Sequence, residues 1–128
     1  MATKHTYLKT HALSGAALSF SLATEDAALR ERVTEARSGR VAKTLVKEGR
    51  LRVTLIALRR GAALGAHQVA GVVSVQVLRG RARVSAEGRI VELSRGGLLV
   101  LDQEVTHTAE ALVDSALLVT VAMAPSEE

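Results

Sequence analysis

Four histidines carry most of the chemistry available to this chain, because it contains no cysteine. Without cysteine there is no disulfide, no thiolate nucleophile and no sulfur-ligated zinc. His5 and His11 fall in a weakly patterned N-terminal region, and we interpret them as exposed side chains. His67 and His107 each follow a turn, and each is predicted to open a strand. Strand starts in a small barrel lie near one mouth, so we predict that His67 and His107 converge on one cavity.

Other reactive groups are weaker candidates. No serine has the flanking glycines of a nucleophile elbow. Asp102 and Glu104 precede His107 on the same predicted loop, and we interpret them as a solvated turn rather than as an acid and a base. The glycine-rich residues 61–65 lack the lysine and hydroxyl group of a phosphate-binding loop. No catalytic residue is therefore assigned.

Composition excludes several classes of partner. Hydrophobic residues make up 48% of the 128 residues but aromatic residues only 2%, too few for the stacking platforms of single-stranded nucleic-acid binders. The net charge of +4 comes from 17 basic and 13 acidic residues that are dispersed along the chain, which argues against a phosphate-binding surface. No apolar run reaches the length of about 18 residues that spans a bilayer. We expect neither a nucleic-acid nor a membrane partner.

The N-terminal region raises the question of export. Lysines precede an apolar run at residues 12–23, and residues 21–23 resemble a small-residue signal-peptidase site. Serines and a glycine dilute this run, so we expect a cytoplasmic protein.

Beyond Gly39 the pattern predicts an antiparallel β-sandwich or barrel. Short runs rich in valine and leucine alternate with turns that contain glycine or aspartate. The alternation in the run from Val73 to Val77 predicts that Val73, Val75 and Val77 face the interior. The predicted strands are residues 41–46, 51–58, 72–78, 82–85, 90–93, 98–101, 107–112 and 116–123, with residues 61–65 as a loop.

The first 38 residues are predicted to differ from the barrel. Thr24 or Asp26 can cap a helix, and apolar residues follow at helical spacing up to Ala36, which predicts one short helix at about residues 26–38. Residues 1–23 alternate weakly and are consistent with strands or an arm over the body. We expect one globular domain, with an N-terminal arm and helix at 1–38 packed on a barrel at 39–124.

The spacing of glycine and histidine resembles that of the cupins. Gly61 is followed after five residues by His67 and later by Gly80, which matches the frame of the first cupin motif. Gly96 and, at the expected interval, His107 match the frame of the second motif. The chain thus resembles small, single-domain, RmlC-like bacterial cupins. The resemblance implies an all-β, antiparallel double-stranded β-helix, the jelly-roll barrel, and a homodimer.

The metal ligands of the cupin motifs are only partly present. His67 and His107 stand at the first and last ligand positions, but Val69 replaces the second histidine and Val73 replaces the glutamate. Valine has no lone pair to donate to a metal. The resemblance therefore implies a barrel with a degenerate metal motif.

Three functions stay open on this evidence. The first is a non-catalytic barrel that binds a small, largely apolar molecule in a cavity lined by His67, Val69, Val73, Val75, Val77 and His107. The second is a metal-dependent oxygenase or isomerase in which His67 and His107 hold iron, manganese, nickel or zinc. The third is a sensor or regulatory module that needs a partner protein. The missing ligands favour binding over catalysis.

Overall fold

The computed structural model describes residues 17–125, except for the side chain of His67. The elements are α1 (Leu22–Val33), β1 (Arg40–Glu48), β2 (Leu51–Leu58), β3 (Ala63–His67), β4 (Gly71–Arg79), β5 (Arg81–Ala86), β6 (Arg89–Ser94), β7 (Leu98–Leu101), β8 (His107–Ala111) and β9 (Ser115–Met123). Within residues 17–125, no helix has the length and apolarity needed to span a bilayer.

The described strands form two antiparallel sheets around one apolar core. The five-stranded sheet has the order β1-β2-β9-β4-β7 and the four-stranded sheet the order β3-β8-β5-β6. Inward side chains of both sheets meet in the core, which includes Ile56, Val75 and Leu117 from the first sheet and Val84 and Ala109 from the second. The predicted all-β jelly-roll class with one N-terminal helix is confirmed.

Strand alternation decides which side chains reach this core. Val73, Val75 and Val77 on β4 are 3%, 4% and 0% exposed, so the predicted inward face is confirmed. The intervening side chains of β4 face outward, as the two-residue period of a strand requires.

The predicted loop at residues 61–65 is partly wrong, because β3 begins within it at Ala63. Alanine and glycine have low strand propensity, so this run carries no local strand signal. It becomes a strand by pairing with β8, where Ala63 lies opposite Glu110 and Leu64 opposite Ala109. Tertiary pairing overrides the local sequence here.

The helix was predicted in the right region but with the wrong ends. It spans Leu22–Val33 rather than 26–38, because the side chain of Ser21 accepts a hydrogen bond from the Thr24 backbone N–H and caps it. Thr24 and Asp26, the predicted caps, lie inside the first turns. Ser21 therefore belongs to a folded helix start in this structure.

Helix α1 packs on the outer face of the five-stranded sheet. Leu29 and Val33 meet Leu45, Leu55 and Ala57 in a second apolar cluster. The helix of the predicted 1–38 unit thus lies on the barrel, whereas residues 1–16, which hold the predicted arm together with His5 and His11, lie outside the described residues.

Two ion pairs fasten the helix to the sheet. Glu25 meets Lys43 at 2.7 Å, and Asp26 accepts two hydrogen bonds from Arg79, at 2.8 Å from Nε and 3.0 Å from Nη2. Both carboxylates are buried, so each requires its partner to offset the loss of hydration.

Candidate ligand site in the barrel

His107 opens β8 and is buried in the barrel at 5% exposure. Its Nδ1 lies 3.1 Å from the backbone carbonyl oxygen of Val105. A carbonyl oxygen only accepts hydrogen bonds, so Nδ1 is the donor in this contact. The imidazole is held in one orientation by the turn that precedes its own strand.

The backbone places residue 67 directly opposite His107. His67 is the last residue of β3, and the register of the β3–β8 pair joins the Cα positions of residues 67 and 107. The prediction that both histidines open strands is wrong for His67. The two positions are adjacent because the end of one antiparallel strand lies beside the start of its partner. The sequence argument had instead placed both histidines at strand starts around one barrel mouth.

A cavity of about 170 Å³ lies between the two sheets beside His107. Its lining consists of one imidazole and seven aliphatic side chains, namely His107 with Ile56, Leu64, Val75, Val84, Ala109, Leu117 and Val119. The described side chains that line it therefore provide one polar group within an apolar wall.

Of the four valines predicted to bind the ligand, one lines this cavity. Val75 lines it together with His107. Val73 and Val77 lie in the same core cluster, and Val69 packs against that cluster, but these three do not line the cavity.

Most of the wall was missed by the sequence reasoning. The missed residues are Ile56, Leu64, Val84, Ala109, Leu117 and Val119. Alternation within β2, β5, β8 and β9 marks some of them as inward, but only the pairing of the strands shows which inward side chains meet.

The described residues do not fit a resident transition metal. Residues 17–125, apart from the His67 side chain, contain no group of three or more histidine and acidic side chains that could hold an ion. Val73 is buried among aliphatic neighbours where the cupin motif has a glutamate. Gln68 donates to the Thr106 hydroxyl at 2.9 Å on the exposed rim. Because metal sites in proteins generally need three or four protein ligands, the donor set is incomplete.

The loop carboxylates before His107 lie in solvent. Asp102 accepts a hydrogen bond from the backbone N–H of Gln103 at 2.8 Å, and both Asp102 and Glu104 are exposed. Glu104 has a φ of 63°, and its backbone N–H donates to the carbonyl oxygen of Val69 at 2.9 Å. This arrangement is that of the solvated turn expected from the sequence.

Gly80, one of the motif glycines, is required by backbone geometry. It has a φ of +87°, and a Cβ there would collide with the hydroxyl of Ser115 and the carbonyl oxygen of Asp114. The Ser115 hydroxyl accepts from the Arg81 backbone N–H at 3.0 Å, so the close approach lies at the junction of β4, β5 and β9.

Comparison with known proteins identifies this architecture. No family model matches the chain, and no curated protein matches it. Among solved structures, a cupin superfamily protein from Desulfitobacterium hafniense is 16% identical, with a TM-score of 0.66 over 70% of this chain and 84% of its own. An RmlC-like cupin from Shewanella frigidimarina is 22% identical, with a TM-score of 0.65 over 72% of this chain and 83% of its own.

A larger protein contains a similar barrel. A salicylate 1,2-dioxygenase variant from Pseudoaminobacter salicylatoxidans is 20% identical, with a TM-score of 0.72 over 80% of this chain and 34% of its own. The protein is therefore a small domain with the cupin jelly-roll fold.

Proposed function

We propose that this protein binds a small, largely apolar molecule in the barrel cavity and that His107 orients it. The observation that carries the proposal is the lining of the cavity, where one fixed imidazole stands among seven aliphatic side chains. Ligand sites in proteins are typically apolar concavities with a few placed polar groups.

The cavity volume limits the size of the ligand. An engineered apolar cavity of about 150 Å³ in another protein binds benzene, and this cavity measures about 170 Å³. The ligand class is therefore a single ring or a branched chain of about six to eight non-hydrogen atoms. We propose that a ligand hydroxyl or protonated acid forms a hydrogen bond with Nε2 of His107.

The register of β3 and β8 supports His67 as a second member of the site, because residue 67 lies opposite His107. Val73 and Val77 flank Val75 on the inward face of β4 and hold it in place from the same core cluster. Val69 is partly buried and packs against this cluster. We propose that this group contributes to ligand binding by shaping the cavity.

A metal-dependent enzyme is the second candidate, and one observation favours it. The paired positions 67 and 107 are the two that keep the histidines of the cupin metal motif. The valines at 69 and 73 oppose it. Elemental analysis of protein purified without chelator separates the two functions, since a metalloenzyme requires close to one equivalent of iron, manganese, nickel or zinc, and we expect less than about a tenth of an equivalent.

A pair of matched probes tests the proposed binding. Toluene and phenol have the same size, but only phenol can donate a hydrogen bond to His107. We expect both to raise the melting temperature of the wild type and phenol to bind about fivefold more tightly, since one hydrogen bond contributes about 1 kcal/mol. In His107→Leu the preference for phenol should disappear while toluene still binds.

The magnitude of the shift follows from linkage. A ligand at ten times its Kd stabilises the folded state by about 1.4 kcal/mol, which corresponds to a melting shift of about 4–8 °C for a domain of this size. No stabilisation by either probe, or an equal preference for phenol in the wild type and in His107→Leu, contradicts the proposal.

The homodimer and the cytoplasmic location remain predictions. Light scattering tests the first and cell fractionation tests the second.

A further inference from the structure

A second space opens between β6 and β7, the last strands of the two sheets. This space, called here the outer cleft, measures about 380 Å³ and is bordered by β5, β6, β7 and the loops after β5 and β7. Seven of its ten lining residues are aliphatic, and the other three, Glu87, Arg89 and Asp102, are exposed. The outer cleft is thus an apolar concavity whose charged groups are in contact with solvent.

Val84 is shared between the outer cleft and the cavity beside His107. Among the described residues it alone lines both spaces, and it is 1% exposed. It pairs with Ala109 on β8 and with Val91 on β6. Ala109 lines the cavity, and Val91 lines the outer cleft. Val84 therefore lies between the two spaces in the four-stranded sheet.

The facing sheet shows the same arrangement. Val75 on β4 pairs with Val119 on β9 and with Leu99 on β7. Val75 and Val119 line the cavity, whereas Leu99 lines the outer cleft. Val75 and Val84 belong to one core cluster, so valine side chains from both sheets form the boundary between the two spaces.

We propose that Val84 separates the cavity from the outer cleft and thereby limits the ligand to a single ring. This inference rests on the proposed function, because it assigns the residue that sets the length of the ligand in that site. In Val84→Ala the two methyl groups between Ala109 and Val91 are removed. A chain attached to the ring of the ligand can then extend from the cavity into the outer cleft.

An introduced thiol tests the boundary without any ligand. The chain contains no cysteine, so a single thiol at position 84 or 77 can be followed alone. Val77 is 0% exposed in the same core cluster but lines neither space. We expect iodoacetamide to alkylate folded Val84→Cys several-fold faster than Val77→Cys, because only the first thiol borders the outer cleft.

The two rates need one correction. The free energy of unfolding of each variant, measured in urea, gives the part of its rate that passes through the unfolded state. Equal rates after this part is subtracted overturn the proposal, whatever the wild type binds. Val84→Cys also removes less volume than Val84→Ala, so the boundary can be tested even where Val84→Ala does not fold.

Ligand length gives the second test, with phenol and 4-propylphenol as the probes. Each buried CH₂ group strengthens binding by about fourfold, so we expect Val84→Ala to bind 4-propylphenol at least about tenfold more tightly than the wild type does. Val33→Ala is the matched control, because it loses the same methyl groups from the second apolar cluster around α1. It should keep the wild-type affinity for both probes.

The outcomes separate this inference from the proposed function. An affinity of Val84→Ala for 4-propylphenol that stays at the wild-type value overturns the inference. A wild type that binds 4-propylphenol more tightly than phenol overturns it as well, because Val84 then sets no limit. Failure of the wild type to bind phenol contradicts the proposed function instead, and a gain of 4-propylphenol binding in Val84→Ala still supports Val84 as the boundary.

Discussion

Adding one methylene group at Val75 should stabilise the protein, because the side chain of Val75 borders the cavity. Val75 is 4% exposed and lines the space of about 170 Å³. In Val75→Ile the new methylene is buried without displacing a neighbour, which contributes about 0.8 kcal/mol. Filling about 30 Å³ of cavity at about 24 cal/mol per Å³ gives about 0.7 kcal/mol. The two routes agree on a stabilisation of just under 1 kcal/mol.

Val77 provides a matched control on the same strand and the same face. It is 0% exposed and lies in the same core cluster, but it does not line the cavity. In Val77→Ile the same methylene has no space to enter, and overpacking typically costs about 1–3 kcal/mol. Urea titration of the wild type and the two variants measures both changes, with opposite signs expected.

The same pair of variants tests whether the cavity is the binding site. The methylene in Val75→Ile takes up part of the ligand volume, so the melting shift produced by phenol should fall. In Val77→Ile, where the added methylene does not enter the cavity, the shift should fall less. If Val75→Ile destabilises the protein as much as Val77→Ile does, the cavity is already closed in solution and the proposed site is refuted.

The attachment of the helix and the close approach at Gly80 give two further predictions. Asp26→Asn removes the charge that accepts two hydrogen bonds from Arg79. It should lower the free energy of unfolding in urea by about 1–3 kcal/mol. The control Glu92→Gln affects an exposed ion pair at 3.4 Å and should lower it by less than about 0.5 kcal/mol. Similar costs for the two would contradict the role given to the buried pair. Gly80→Ala should be much more destabilising than Gly88→Ala. Both glycines have a positive φ, but only Gly80 has atoms within 4 Å of the added Cβ. Equal melting temperatures of the two variants would show that backbone strain, and not the close approach, causes the loss of stability.

The inward face of β4 could be predicted from the sequence, and the cavity could not. Alternation of Val73, Val75 and Val77 with polar residues fixes one side of one strand. Which inward side chains border an empty space depends on how β4 meets β8 and β9 in three dimensions. A local pattern contains no information on that packing.

The pairing of positions 67 and 107 was reached by a wrong route. Both histidines were assigned to strand starts, although His67 ends β3. The short strand in residues 63–67 has little local signal, since its alanines and glycine favour no strand, and it forms only against β8. The predicted ends of the helix were wrong for a related reason. The cap that starts α1 is Ser21, and it lies within a stretch whose weak alternation favours strands.

Burial affects a carboxylate at position 73 and the imidazole of His107 differently. A glutamate at position 73 would be a buried carboxylate, because Val73 is 3% exposed within the core cluster. Without a bound cation such a group costs several kcal/mol, so a barrel that holds no metal is more stable with valine there. His107 differs, because its Nδ1 has a hydrogen-bond partner in the Val105 carbonyl oxygen within the barrel. The valines are thus compatible with a barrel that holds no metal, and a buried His107 in an otherwise aliphatic cavity is compatible with the proposed role of orienting a ligand.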